Sequence, residues 1–342
     1  MRHDRRVTES DEQAGGVSAA LRESILGWYD RVGRDLPFRA TRDPYAILVS
    51  EAMAQQTQAA RAGEAWNRFM GLFPTVAVLA DATPADVLRA WQGLGYNRRA
   101  LHLWRAARRL VEDHGGVVPA NVAALEALPG VGPYTARAVC ALAFGMPVGA
   151  VDTNVRRVLG RMLVAGDAIR PAALQRLADA SVPIDRPGAW THALMDLGAT
   201  LCLPREPDCM RCPARSACRY AADRLDGAAE GDGSEMRDAR PSRAGWTSSR
   251  ASRETVASHP ATTTPFTSTS RWLRGRIVDR LRAAEGDRWT VIDGPIGSHD
   301  PAAVTAALER LAHDGLVELD DTGPDLPAGT KGTAVRVRLS LS

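Results

Sequence analysis

Four of the chain's five cysteines, Cys202, Cys209, Cys212 and Cys218, fall in one short run, with six, two and five residues between successive members. No other feature restricts the fold as much. Four thiolates converging from one loop make a soft metal site, and the surrounding chain must hold that loop still. A zinc ion on four cysteines is the competing reading. Zinc ribbons pair two C-x2-C knuckles across a longer insertion, whereas this run has one knuckle, so the spacing favours an iron-sulfur cluster. Clustered cysteines also point to a reducing compartment rather than a disulfide framework. Arg205, Arg211, Arg215 and Arg219 alternate with the ligands, so the loop is expected to present positive charge outward, toward a phosphate backbone or simply toward water. Cys140 stands apart, with Ala136, Val139 and Ala143 on one apolar helical face, and reads as core.

The remainder of the chain organises around that loop. From Val17 to about residue 221, apolar residues recur at helical spacing, as in Leu103, Trp104, Ala107, Leu110 and Val111, with Pro119, Pro129, Pro133, Pro171 and Pro183 between such stretches or at their starts. No strand pattern precedes position 222, so the first 200 or so residues read as all-α. Residues 1–16 are polar and read as a disordered tail, and 222–270, dominated by Gly, Ser, Thr, Arg and Asp, reads as a flexible linker. After it, Leu273, Ile277 and Leu281 share one helical face and Val304, Ala307, Leu308 and Leu311 another. Gly315 to Leu319 and the alternating Val335, Val337 and Leu339 then suggest strands. Residues 271–342 are therefore expected to form a small winged-helix-like module. A net charge of +3 permits a polyanionic partner without demanding one. Neither a signal peptide nor a membrane span is indicated, and a soluble cytoplasmic protein is expected.

Leu128-Pro129-Gly130-Val131-Gly132-Pro133-Tyr134 places two glycines around one apolar residue just before a helix start. Glycines there can leave backbone amides pointing at a phosphate, although G-x-G also makes ordinary helix-helix turns. Asp152 follows in Val151-Asp152-Thr153-Asn154, and the cysteine loop comes later still. Hairpin, aspartate and cysteine loop in this order resemble the helix-hairpin-helix DNA glycosylases, which include endonuclease III and the A/G-specific adenine glycosylases of MutY type. The resemblance runs from Trp28 through Cys218. It implies a two-lobed, all-α fold over residues 17–221, with one 4Fe-4S cluster on the four cysteines of the 202–218 loop, acting as a monomer on double-stranded DNA in the bacterial cytosol.

Within that family, endonuclease III-like enzymes carry a nucleophilic lysine at the start of the hairpin's second helix. This chain has Tyr134 there, and Lys331 is its only lysine. A monofunctional glycosylase is implied, which needs an acid for the departing base and an anion for the cationic sugar. Asp152 and Glu51, the latter in Ser50-Glu51-Ala52-Met53-Ala54-Gln55-Gln56, are the two carboxylates that stand out. Each has a simpler explanation, Glu51 as an acid in a first helical turn and Asp152 as an N-cap. The Glu51 segment resembles the adenine glycosylase signature, whose glutamate protonates adenine, and the expected activity is hydrolytic excision of adenine mispaired with 8-oxoguanine or guanine. The resemblance also assigns Tyr134 and Asn154 to steadying Asp152 and the sugar cation, Arg39 to the adenine pocket, Gln56 to probing the lesion and Tyr96 to an aromatic wedge. Gly130, Val131 and Gly132 are the phosphate-binding hairpin. An aromatic in the setting of Tyr96 otherwise more often packs into a core.

Three residues depart from the family pattern: Ala54 where leucine is usual, Phe38 where tryptophan is usual, and Asn97 where a second aromatic follows the wedge. The region after Ser270 does not resemble the nucleotide-hydrolase-like domain of many relatives. Its Arg274, Arg276 and Arg280 either add phosphate contacts or form a solvated helix face. Two other functions fit the same residues less well. One is removal of thymine or uracil opposite guanine, against which Glu51 argues because thymine lacks the ring nitrogen it would protonate. The other is a non-catalytic DNA-binding regulator with a redox-sensing cluster, against which the retained carboxylates argue.

Overall fold

A computed structural model describes residues 16–166, 169–229, 265–284, 286–320 and 335–342. The polar tail up to residue 15, positions 230–264 of the expected linker, and Lys331 lie outside the described residues.

The body is a succession of helices whose starts the sequence dictates locally. α1 (Ala19–Val32) begins at Ser18, whose hydroxyl accepts the Leu21 amide. The 3-10 turn Pro37–Arg39 leads to α2 (Pro44–Ala54), capped by Asp43. Then come α3 (Ala59–Leu72), α4 (Val76–Asp81), α5 (Pro84–Ala90), α6 (Arg98–His114), α7 (Val122–Glu126) and α8 (Pro133–Ala143). They are followed by α9 (Thr153–Val164), α10 (Pro171–Ser181), α11 (Pro187–Thr200) and α12 (Arg219–Ala229). Proline opens α2, α5, α8, α10 and α11, where its missing N–H leaves no helical bond unmade. On α6, Leu103, Trp104, Ala107 and Leu110 are buried as their spacing requires, while Val111 turns 41% of its surface outward. α12 runs to Ala229, past the expected start of the linker at 222.

Two apolar clusters make two lobes. One is built from α2 to α8. The other joins Leu21, Ile25 and Leu26 of α1 to the inner faces of α9, α10 and α11, so the N-terminal helix returns to close the later lobe. α2 crosses the centre of the first lobe and is buried on nearly every side from Tyr45 to Met53. A helix with no solvent face is apolar all round, so a charge within it demands an explanation. Glu51 is that charge.

The C-terminal unit consists of α13 (Ser270–Arg282), β1 (Thr290–Ile292), α14 (Pro301–His313), β2 (Val317–Asp320) and β3 (Val335–Leu339). β3 lies between β1 and β2, antiparallel to both, with Thr290 opposite Val337 and Val317 opposite Leu339. Leu273, Ile277 and Leu281 of α13 and Val304, Ala307, Leu308 and Leu311 of α14 are buried against this sheet and join the apolar cluster of the first lobe. β1 was not expected, because three residues are too few to show an alternation. Among the described residues, no helix is long and apolar enough to cross a membrane.

Candidate active site and cysteine-lined cavity

Glu51 lies seven positions after Pro44, in the second half of α2, so its place owes nothing to the field at a helix N-terminus. It is 8% exposed, and burial pushes its carboxyl up to about 7. The Tyr134 hydroxyl opposes that shift by hydrogen bonding to the carboxylate, and the charge of Asp152 reinforces it. Glu51 is therefore about half protonated at neutral pH and largely so below it, and can act as an acid.

Asp152 is the N-cap of α9. One oxygen, Oδ1, accepts the Val155 amide at 2.7 Å, and Oδ2 accepts the Asn154 side-chain amide at 3.0 Å. The capping role expected from sequence is thus present, and the second oxygen is held by the Asn154 side chain. Tyr134, at the start of α8, faces both carboxylates, and burial together with their charges raises its phenol well above its ordinary value. Its hydroxyl also reaches Met195 Sδ at 3.9 Å. The two carboxylates and the phenol thus converge from α2, α8 and the first residue before α9.

A cavity of about 370 Å3 opens onto Glu51, lined also by Arg39, Phe38, Tyr29 and His192. Phe38 meets Trp66 edge-on at 6.4 Å. Arg39 is clamped, with Nη2 2.7 Å and Nη1 2.8 Å from the two carboxylate oxygens of Asp196. Asp196 is 1% exposed and also accepts from the backbone and side chain of Arg34. These bonds hold its carboxylate below its ordinary value despite burial. Burial, with Arg39 beside it, pushes the His192 imidazole down to about 3, so it stays neutral and offers one donor and one acceptor. Sequence reasoning missed Asp196 and His192. A lone acid between Ala193, Leu194 and Leu197 on one buried helical face was the available signal.

The hairpin serves the chain first. Val131 is 8% exposed and its amide donates to the Leu128 carbonyl at 3.1 Å. Gly130 adopts φ +77°, and a Cβ there would meet His102 Cβ at 2.5 Å, so close packing against α6 requires glycine. Gly132 caps α8. Gln56 and Tyr96 are exposed at two other turns and do not line the cavity at Glu51. Tyr96 is 40% exposed rather than core.

Cys202, Cys209, Cys212 and Cys218 line one cavity between α9, α11 and the 202–218 loop. Burial and the other three thiols push Cys212 up to about 11, so the four sulfurs lie within electrostatic reach of one another. Arg161 Nη1 lies 3.6 Å from Cys202 Sγ and also donates to the Leu203 carbonyl. Among the described residues no group of three or more His, Cys, Asp or Glu side chains could hold a metal ion. Arg205, Arg211, Arg215 and Arg219 are exposed around the cavity as expected, and Cys140 is fully buried in the first lobe.

Comparison with known proteins matches the chain to one family. The profile of the HhH-GPD superfamily base excision DNA repair proteins covers residues 49–183. An adenine DNA glycosylase of Mycobacterium tuberculosis is 39% identical over 299 residues, spanning 86% of this chain and 89% of the relative. The human adenine DNA glycosylase is 42% identical over 213 residues, 58% of this chain and 39% of that protein. A solved thermostable thymine-DNA glycosylase superposes with TM-score 0.57 at 31% identity, covering 64% of this chain and all of that one. The mycobacterial match is too long to stop at α12 and reaches into the C-terminal unit. The chain belongs to the adenine DNA glycosylases of the HhH-GPD superfamily, base excision repair enzymes that hydrolyse the N-glycosidic bond.

Proposed function

We propose that the chain removes adenine mispaired with 8-oxoguanine or guanine from double-stranded DNA, as a monofunctional glycosylase. Glu51 carries this reading. A carboxyl buried in an apolar helix, protonated near neutrality and opening onto a base-sized cavity is an acid aimed at a leaving group. With adenine in the cavity, Glu51 delivers its proton to the ring. The bond between the sugar C1′ and the base nitrogen breaks with its electron pair leaving on the base, and the sugar becomes cationic. Asp152, fixed by the Val155 amide and Asn154, faces that charge, and Tyr134 adds its phenol to the same spot. Water then adds to C1′ and loses its proton to the carboxylate left on Glu51. Arg39, clamped by Asp196, and neutral His192 edge the base. Gln56 and Tyr96 reach into the duplex, where extrusion of the base leaves a gap. The amides of Gly130 and Gly132 take a phosphate, that of Val131 being used within the turn.

The four cysteines fit a 4Fe-4S cluster better than a lone zinc ion. They supply four sulfur donors around one cavity with a single C-x2-C knuckle, and Arg161 stands beside Cys202 as a hydrogen-bond donor. Cys202, Cys209, Cys212 and Cys218 would hold the cluster, whose contribution is to brace the loop against α9 and α11.

Incubation with duplexes bearing A opposite 8-oxoguanine, A opposite G and T opposite G tests the assignment. Free adenine from the first two, with product strands that break only after alkali, is expected. Thymine release, or strand cleavage without alkali, overturns it. The purified protein is expected to be brown, with four irons per chain.

A further inference from the structure

Beside the cavity at Glu51, across the end of α2, lies a larger cleft of about 760 Å3. Its inner wall is body: Gln55 and Gln56 after α2, and Tyr96, Arg98 and His102 at the start of α6. Its outer wall is α13 of the C-terminal unit, which contributes Arg271, Arg274 and Arg276.

Charge is the first indication of what belongs there. Five arginines, Arg98, Arg99, Arg271, Arg274 and Arg276, line it with two acids. Asp314 is shared, 3.7 Å from both Arg98 and Arg274, and Asp279 lies 3.8 Å from Arg276. The cleft is thus net positive, and the buried Nε of Arg274 has no partner. Backbone conformation is the second. Among the described residues only three non-glycine residues have positive φ, and two stand on the lips of this cleft, Gln56 at +53° and Tyr96 at +46°. Such conformations persist where surrounding structure enforces them, and here Arg99 does. Its guanidinium accepts no freedom: it donates to the carbonyls of Ala52 and Met53 at 2.9 and 3.1 Å and to that of Leu94 at 3.1 Å, tying both turns to one side chain.

The outer wall is fastened rather than resting there. Arg282 of α13, 5% exposed, donates to the Leu88 carbonyl and to Asn97 Oδ1, each at 2.8 Å. Asn97 is the position where the family pattern has a second aromatic, so this departure is a docking contact. Arg89 reciprocates with the Gly286 carbonyl at 2.6 Å and Asp287 at 2.9 Å. Arg271 lies 4.0 Å over the Tyr96 ring, an exposed stacking contact that a phosphate could take over.

We propose that this cleft seats the sugar-phosphate backbone of the DNA strand opposite the excised base, with Arg271, Arg274 and Arg276 of the C-terminal unit donating to its phosphates. The proposal rests on the glycosylase reading above. The excised nucleotide leaves the duplex on the Glu51 side of Gln56, so the strand that keeps its base stacked runs on the other side, where the arginines are. Arg271 then leaves Tyr96 for the backbone and frees the ring at the mismatch.

The test uses the full chain carrying Glu51→Gln, which should bind without turnover, and fluorescence anisotropy with a duplex containing A opposite 8-oxoguanine over a salt series. Arg271→Ala and Arg276→Ala should each weaken binding several-fold near 100 mM salt and lower the slope of log K against log salt by about 1, the value for one lost phosphate contact. Arg276→Lys should restore the slope. Methylphosphonates placed beside the mismatch in the opposite strand should weaken the parent protein and add nothing in the double alanine variant, whereas in the target strand they should penalise both equally. Unchanged slopes, or coupling to the target strand, overturn the proposal. If the wild-type chain releases no adenine from any duplex, the glycosylase reading itself fails. If it releases adenine while the variants bind as the parent does, only the assignment of the cleft fails.

Discussion

Arg157 Nη2 donates to Asn154 Oδ1 at 2.8 Å, while its Nε holds the Cys202 carbonyl at 2.6 Å. The same Nη2 reaches the Gly198 carbonyl at 2.6 Å. One guanidinium therefore links the first cysteine of the loop to the amide that orients Asp152. Arg157→Ala should lower single-turnover base release by about 10- to 100-fold, the usual cost of losing a residue that orients a functional ligand. Iron content measured on the same preparation should fall with it. A variant that keeps full activity would show that the loop and Asp152 are not mechanically joined.

Glu51 sets the pH dependence. Its carboxyl gives up the proton around pH 7, so single-turnover release should decline about tenfold per pH unit above that point. The folded carboxyl is raised above its ordinary 4.5, so the native state binds the proton more tightly than the unfolded chain. That contribution to stability is complete below pH 4.5 and is lost as pH rises through about 7, where the fold must hold a buried carboxylate. Glu51→Gln has no proton to lose. Over that interval it should gain on the wild type by up to about 3 kcal/mol in denaturant titrations, while losing turnover.

Gly198→Ala would place a Cβ 2.6 Å from Asn154 Cβ and 3.1 Å from its Cα. α9 and α11 would have to part at the point where Asn154 meets Asp152. Destabilisation of about 1–3 kcal/mol is expected from overpacking, with a loss of base release larger than the loss of fold. Thermal unfolding and turnover measured on one sample separate the two effects.

Asp196→Ala should be more damaging to the fold, because it leaves the guanidiniums of Arg34 and Arg39 facing a buried site with no counter-charge. Arg39 has 9% of its side chain exposed. Breaking a buried ion pair on one side costs about 3–5 kcal/mol. Asp196→Asn keeps two acceptors' worth of shape but one oxygen fewer, and its midpoint should fall between those of the alanine variant and the wild type.

The helical body, the order of hairpin, aspartate and cysteines, and the pairing of α13 and α14 with strands all followed from spacing, because helical periodicity and Gly-Pro punctuation are local signals. Glu51 was found by its motif, but the bland explanation for it, a first-turn acid, depended on where α2 begins, and that is settled by Asp43 and Pro44 rather than by Glu51's neighbours. Asp196, His192, Arg99 and Arg157 were not legible. Asp196 bonds Arg39 across 157 positions, Arg157 reaches Cys202 across 45, His192 answers to the distant Arg39, and Arg99 bonds carbonyls that every residue possesses; no pattern along the chain marks such contacts. Asn97 looked like a missing aromatic until Arg282 was seen across from it.

Leu273, Ile277 and Val337 belong to the same apolar cluster as Leu88 and Leu101 of the body. A peptide that shares its interior with its neighbour has no separate melting event to offer. Severing the backbone anywhere from 230 to 264 should accordingly leave two fragments that elute together and unfold in one transition, and residues 265–342 expressed alone should be insoluble. The two pieces should then behave as one folding unit, held by the interior they share.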